Sequence, residues 1–579
     1  MNKIEKIICL VLGAVLAWYI WAEMGKAKER AAQAAKQAQV SSESSSSGNS
    51  RRNTAVSPRS DSRAEISAAA TSVAAETNKT EVAKVELPAV PEKAVVLENS
   101  QLKLELSSWG AVVKKATLKE YAKDCGDISE KNPAVVLDFT SAPLGELGGV
   151  AGLAANAAYE VRDVTSNSVV FVNAVVTRKI TLGDDFRVTF DETFHSASST
   201  STSTSTSLSL GAMSMGNSKN DQLSIDSWAM DIGKGKPGVV HHYEGDSPLK
   251  PFLVGGYSGG CSGSSSAAGM PRSQSVRFPG AQKWIALKNR FFVTALCSST
   301  SSNAGFDTTV TRDMRESNYR PDTIAAKALF AEVPAQRTSV FFVGPKKQSL
   351  LWDLGMRDVM DFGMWRWICY PIVSILNIFN DWIPNYGIAI ILLTIFVRLV
   401  FWPLTRKSTE GMKKMQEVQP LMKEIQAKYK DNPQRLQQET WALYKEKKVN
   451  PLSSCLPMLI QIPVFIALFN VLRSAVELRY APFLWICDLS EPEGLLAAYL
   501  PFGGLNILPI LMAVSTGLQS YFTPSAGDKS QQKMMTVFMP VMMLVMFYSF
   551  PAALSLYWFL SNLFSIVQMW LIRRQTAAK

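Results

Sequence analysis

Charged side chains almost vanish from the last third of this 579-residue chain. Five long apolar segments, 386–404, 452–472, 505–523, 534–551 and 552–572, contain no Asp, Glu, Lys or His and one Arg, Arg398. With no titratable or coordinating set there, an ion-coupled transporter lacks the groups it would need. Histidine is scarce as well: there are three, His195, His241 and His242. No nucleotide-binding loop, metal-ligand cluster or catalytic constellation occurs, so the expectation is a protein that is not an enzyme and needs no cofactor. Cysteine gives little more, since Cys125, Cys261 and Cys297 fall in one region, three is an odd number, and no pairing can be deduced.

What is present starts with Arg398, in YGIAIILLTIFVRLVFWPL, eight residues before Arg406. At about 1.5 Å per helical residue it lies roughly 12 Å inside the basic end of its segment. A cation at that depth costs on the order of 2.5–3.5 kcal/mol even on permissive scales, so it must face protein or water. The expectation is a water-filled intramembrane cavity.

A sixth apolar segment, 7–22, follows Lys3 and Lys6 and ends in AWYIWAEM without a small-x-small cleavage site, which reads as an uncleaved anchor. Loop 405–451 carries eleven Lys/Arg against six acids, whereas 473–504 has two Arg and four acids. The positive-inside rule therefore puts 405–451, 524–533 and both termini in the cytosol, with 23–385 and 473–504 outside.

The domains read as an anchor over 1–25, a tether over 26–83, a β domain over 84–345, interfacial helices over 346–385 and a membrane core over 386–579. The tether is rich in Ala, Ser and Gln, cannot bury a core, and implies a domain loosely coupled to the membrane part. Period-two runs such as LKLELSSWGAVV and DFRVTFDETF predict an all-β sandwich. The Ser/Thr tract 196–209 reads as a loop or polar edge. In 346–385, apolar residues alternate with Asp353, Arg357, Asp358 and Asp361, and Trp352, Trp365, Trp367, Tyr370 and Trp382 read as headgroup-level anchors. The stretch 372–379 is too short to cross. In 405–451, Met412, Met415, Leu421, Met422, Ile425 and Tyr429 recur at helical spacing before Asp431-Asn432-Pro433. The result is a cytosolic helical hairpin whose Lys413, Lys414, Lys423, Lys428 and Lys430 form a candidate docking surface.

Polar residues within the spans also follow a pattern. Thr394 and Arg398 share a helix face; Tyr557, Ser561, Ser565 and Gln568 form a stripe with Asn562 beside it; Gln461 lies midway along its span. Such residues often only join helices, at about 0.6 kcal/mol each, but a stripe together with a solitary Arg is better explained by a hydrated groove. Met535, Met539, Met542, Met543 and Met546 form a soft apolar surface suited to unlike partners. Pro457, Pro463, Pro509 and Pro540 would locally open their helices.

The stretches FVRLVFWPLT, ALYKEKKVNPLSSCLPMLIQIPVFIALF, SAVELRYAPFLWICDLS and LYWFLSNL resemble the YidC membrane protein insertases nearly continuously over 365–575. More loosely, KWIALKNRFFVTALC and FFVGP resemble the periplasmic domain of the Gram-negative form. The resemblance implies a mixed membrane protein of the bacterial inner membrane: an N-terminal anchor, a periplasmic β (super)sandwich and a five-helix insertase core. It also implies a groove open to cytosol and lipid and closed outside, with Arg398 on the groove arginine and Thr394, Gln461 and Tyr557 on groove-lining positions. Trp558 stands where an aromatic, often Tyr, is usual. Implied partners are nascent membrane proteins, the ribosome, the Sec translocon and the bilayer, with no direct nucleic-acid contact. The other class kept open is a tethered carbohydrate-binding β domain, with His241, His242, Glu244 and Asp246 as its candidate site.

Overall fold

The computed structural model describes residues 91–195, 206–214, 223–229, 238–244, 252–253, 273–312, 321–430, 432–447, 449, 456–495, 504–522 and 534–577. The anchor over 1–25, the tether and Asp246 lie outside these residues.

Alternation builds the β domain. In Leu102–Ser107 the leucines at 102, 104 and 106 are buried, while Lys103 and Glu105 stay half-exposed. Antiparallel pairing joins such strands into a nine-stranded and a ten-stranded sheet. The first sheet runs from Ala94–Glu98 through Leu102–Ser107, Val112–Ala122, Leu144–Gly148, Thr206–Ser214, Pro321–Phe330 and Gly305–Arg312 to Ser273–Pro279. The middle of the second is Ser224–Ala229, Gln282–Lys288, Phe292–Ser299, Gln336–Pro345, Arg187–Phe194 and Val176–Leu182. Phe171, Phe190, Trp284, Phe306, Phe330 and Phe341 are buried in one shared core. This is the sandwich that the period-two runs predict. The end of the Ser/Thr tract corrects one expectation: Thr206–Ser214 is an interior strand between Leu144–Gly148 and Pro321–Phe330. Its inward Leu208 and Leu210 decide the matter, and Thr206 and Ser209 are buried with them.

One inward position on Val176–Leu182 is a cation. Arg178 and Arg337 flank Glu192, and all three side chains are fully buried. Arg178 donates to Glu192 Oε1 at 2.8 Å and to the carbonyls of Gly110 and Ala111, both at 2.9 Å, and Arg337 Nε donates to Glu192 Oε2 at 2.7 Å. Arg337 also lies over the Phe330 ring at 4.5 Å. The triad thus pins the second sheet to the turns of the first.

The interfacial region is folded against the second sheet. Helix α1 (Gln348–Asp353) and the 3-10 turns Arg357–Met360 and Gly363–Trp365 lead into α2 (Arg366–Trp382), which is 17 residues long. Leu351, Met356, Val359, Met360 and Phe362 are buried, and Lys288 Nζ donates to the Val359 carbonyl at 3.1 Å. Trp367 and Trp382 remain exposed at 69% and 73%.

The core begins with α3 (Tyr386–Lys428), where the Asn385 side chain accepts from Ile388 N. Its 43 residues span about 65 Å. The helix does not end at 404, as the apolar pattern suggests, but carries Pro403 and Pro420 and continues into the hairpin. Near Pro403, the Thr405 hydroxyl donates to the Phe401 carbonyl at 2.7 Å. Asn432 caps α4 (Pro433–Glu446), with Pro433 in its first turn. Met415, Val418, Leu443 and Val449 form the hairpin core, with Met422, Ile425 and Tyr444 packed on it. Then follow α5 (Leu456–Ser474), α6 (Ile507–Phe522), a π turn (Met534–Phe538), α7 (Met539–Phe547) and α8 (Ala552–Ala577). Among the described residues, Tyr386–Ser408 and Ala552–Leu571 are long and apolar enough to cross a bilayer; Gln461–Ser474, Ile507–Phe522 and Thr536–Phe547 are shorter.

The β domain is not loosely coupled to this core, contrary to the reading of the tether. Cys125 is disulfide-bonded to Cys487, 362 residues away in the loop after α5. Cys487 lies outside the cluster of Cys125, Cys261 and Cys297, so spacing among those three does not point to it.

Replacing Glu192 with Ala should leave two guanidiniums facing each other in the core and destabilise the sandwich by about 3–5 kcal/mol. Hydrogen exchange of Val176–Leu182 and Arg187–Phe194 in the full chain checks this; unchanged protection would contradict it.

Candidate functional site

Arg398 is half-buried on α3, and its Nη2 donates to the Ser561 carbonyl of α8 at 2.6 Å. Ser561 sits in a helix and its carbonyl also accepts from the Ser565 hydroxyl at 2.9 Å, so Arg398 shares that acceptor. No acidic side chain forms an ion pair with Arg398 among the described residues. Beside the guanidinium lies a cavity of about 40 Å³, lined by Arg398, Gln461, Tyr557 and Thr405, with Val397, Phe401, Leu404 and Val464 as its apolar wall. That volume holds about two or three waters.

The three helices reach this point for local reasons. Arg398 lies on α3 one turn before Pro403. Gln461 stands two residues before Pro463 on α5, and Tyr557 is buried on the second turn of α8. Gln461, Tyr557 and Arg398 are brought together as the sequence pattern suggests.

The other residues of the polar set lie elsewhere. Thr394 is fully buried, and its hydroxyl donates to the Ile390 carbonyl of its own helix at 2.7 Å. Asn562 Nδ2 donates to Ser515 Oγ at 2.9 Å and Thr516 Oγ1 at 2.8 Å, tying α8 to α6. Ser565 donates back to the Ser561 carbonyl at 2.9 Å, and Gln568 is buried. Trp558 packs edge-on against Phe465 at 5.0 Å, in a cluster with Phe547. Thr405 is the lining residue that the sequence pattern missed. It stands seven residues after Arg398, two helical turns along the same face.

Of the methionine surface, Met542 and Met546 are exposed, Met539 is half-buried and Met543 is buried. The side chain of Met535 lies outside the described residues. Val541 and Val545 share the outward face of α7 at 55% and 75% exposure, so its apolar surface is wider than the methionines alone. In the hairpin, Lys414, Lys423, Lys428 and Lys430 are exposed, and the Lys413 side chain lies outside the described residues. So do the side chains of His241, His242 and Glu244 on strand Gly238–Glu244.

The loop 475–495 covers one end of the helices. The Glu491 carbonyl accepts from Ala552 N at 2.8 Å and the Leu489 carbonyl from Ala553 N at 3.0 Å, capping α8. The Glu493 carboxylate accepts from Ile507 N at 3.1 Å, at the start of α6. Phe483 lies so close to Gly387 that a Cβ there would overlap its ring. Burial raises the pKa of the Glu477 carboxyl in this loop, with Lys347 and Asn377 opposing.

Comparison with known proteins supports one conclusion. A family model described as "60Kd inner membrane protein" matches 378–579, and one for the YidC periplasmic domain matches 264–375. A membrane protein insertase YidC of Prosthecochloris aestuarii is 31% identical over 83% of this chain and 83% of its own. The protein of the same name from Syntrophobacter fumaroxidans is 40% identical over 50% of this chain and 53% of its own. A solved structure of an active YidC insertase aligns over 83% of this chain and 92% of its own at 18% identity, with a TM-score of 0.34. With Arg398 beside a small polar cavity between helices and a β sandwich ahead of them, the chain belongs to the YidC family of membrane protein insertases.

Proposed function

We propose that this protein inserts membrane proteins by drawing the polar flank of a substrate toward Arg398 while the substrate's apolar helix passes along α7 into lipid. The observation that carries the reading is the cavity beside Arg398, with its solitary cation and no carboxylate partner among the described residues. A substrate acid at 4 Å gains about 4 kcal/mol at an effective dielectric of 20, comparable to the cost of holding the bare cation. A membrane potential of about 100 mV, negative inside, adds roughly 2.3 kcal/mol per negative charge moved outward. The cavity holds waters, not a polypeptide, so α3, α5 and α8 must part to admit a chain. The outward valines and methionines of α7 offer adaptable apolar contact. The polar stripe divides in this reading: Arg398, Gln461, Tyr557 and Thr405 meet substrate, while Asn562 holds α8 to α6.

The topology we propose puts the anchor and five spans in the inner membrane, both termini and 405–451 in the cytosol, and the β domain with 473–504 in the periplasm. The Cys125–Cys487 bond supports this, because it needs both partners on one side, in an oxidising compartment. The exposed lysines of the hairpin suit the ribosome. The Sec translocon is a second partner of this reading, as the family resemblance implies.

Arg398→Ala should fold and enter the membrane yet lose about tenfold or more of its insertion rate for substrates with acidic translocated tails. Arg398→Lys should keep part of that activity, because positive potential matters more there than fork geometry. Reconstituted insertion at matched protein levels is the measurement, and equal rates for wild type and Arg398→Ala would overturn the role.

Replacing Lys413, Lys414, Lys423, Lys428 and Lys430 with Gln should weaken ribosome binding chiefly at low salt, since exposed charges act over about 10 Å at roughly 0.1 M. Co-sedimentation across a salt series reads this directly. Binding unchanged at every concentration would place the docking surface elsewhere.

A further inference from the structure

Two arginines cross the boundary between the β domain and the outer loop in opposite directions. Arg290, on the turn after Gln282–Lys288, reaches out of the sandwich with a buried side chain. Its Nε donates to the Arg473 carbonyl at 2.7 Å, its Nη2 to the Ser490 carbonyl at 2.6 Å, and its Nη1 pairs with Glu491. Arg473 is in the last turn of α5, so this cation also meets the negative end of that helix. In return, Arg479 reaches from the loop into the sandwich. Its Nη1 donates to the Ala122 carbonyl at 2.8 Å, and its guanidinium lies over Phe292 at 5.3 Å and Tyr480 at 4.3 Å. The Tyr480 hydroxyl donates to the Lys123 carbonyl at 2.8 Å, and two residues further on Cys125 is bonded to Cys487.

The loop held in this way joins the outer ends of α5, α6 and α8. Its carbonyls cap α8, Glu493 meets the start of α6, and Phe483 leaves no space above Gly387 of α3. A segment whose backbone must stay over four helix ends gains from being fixed at several points, because charge-assisted bonds and a covalent link cut its local opening.

We propose that the β domain acts as a clamp: Arg290, Arg479 and the Cys125–Cys487 bond hold 475–495 across the outer helix ends and keep the Arg398 cavity sealed from the outside. This deepens the insertase reading and rests on it. The arginines are positioning residues, since neither lines the cavity.

The test uses the full chain in lipid nanodiscs and in sealed liposomes, comparing wild type with Arg290→Ala, Cys125→Ser and Cys487→Ser. Hydrogen exchange at the bonded amides of Phe483, Ile486 and Leu489 should rise about tenfold in Arg290→Ala, the loss expected when charge-assisted bonds to buried carbonyls are removed. Both cysteine variants should show a smaller rise, equal in the two, while strand Arg187–Phe194 keeps its protection. Proton leak from dye-loaded liposomes should rise with loop exchange. Unchanged loop exchange in Cys487→Ser and Arg290→Ala overturns the clamp, and raised exchange without leak overturns the seal. If Arg290→Ala also loosens Arg187–Phe194, the two cysteine variants, which leave Arg290 in place, decide. None of these readings uses a substrate, so failure here leaves the Arg398 result standing, and failure of Arg398→Ala leaves the clamp standing.

Discussion

A guanidinium on a long apolar helix, with no carboxylate paired to it among the described residues, is the constraint on which the core is organised. Arg398 satisfies one donor on the Ser561 carbonyl and turns the rest of its charge to a cavity shared with Gln461, Tyr557 and Thr405. A helix carbonyl is a weak counterpart for a full positive charge, and in the function we propose the remaining charge attracts an acid brought by a substrate. Neutralising it with a built-in Glu would remove that capacity, because a guanidinium already paired with a carboxylate attracts a second acid only weakly. Asn562 ties α8 to α6 through Ser515 and Thr516, away from the cavity.

The second constraint is at the other end of the same helices. There the loop covers the helix ends: its carbonyls cap α8, and the Phe483 ring fills the space above Gly387, a cover that our proposed mechanism uses as its closed side. The β sandwich is a rigid base for that closure, with its own sheets pinned by the Arg178–Glu192–Arg337 triad and its turn at Arg290 set into the loop. The β sandwich thereby contacts the loop over the helix ends through a few named residues.

Much of this was legible in the sequence, for physical reasons. Period-two runs marked the sandwich because Leu102, Leu104 and Leu106 must all face inward. Arg398 stood out because charge is so costly in its segment, and the positions of Gln461 and Tyr557 beside it agreed with the family resemblance. What escaped notice depended on three-dimensional placement. Thr394 and Thr405 both lie on the Arg398 face of one helix, yet the first is fully buried with its hydroxyl on the Ile390 carbonyl while the second lines the cavity. The stripe on α8 divides between two neighbours, which spacing along one helix cannot reveal. The coupling of the β domain rests on residues up to 362 positions apart, and an Ala/Ser-rich tether at one end says nothing about contacts made at the other.

The most direct measurement is site-specific photo-cross-linking during insertion of a single-span substrate with a short acidic translocated tail. A photoreactive residue at Gln461 should form adducts with the tail, and one at Val545, on the outward face of α7, with the substrate's apolar helix. Tail adducts at 545 with none at 461 would place the polar path outside the Arg398 cavity and contradict the account.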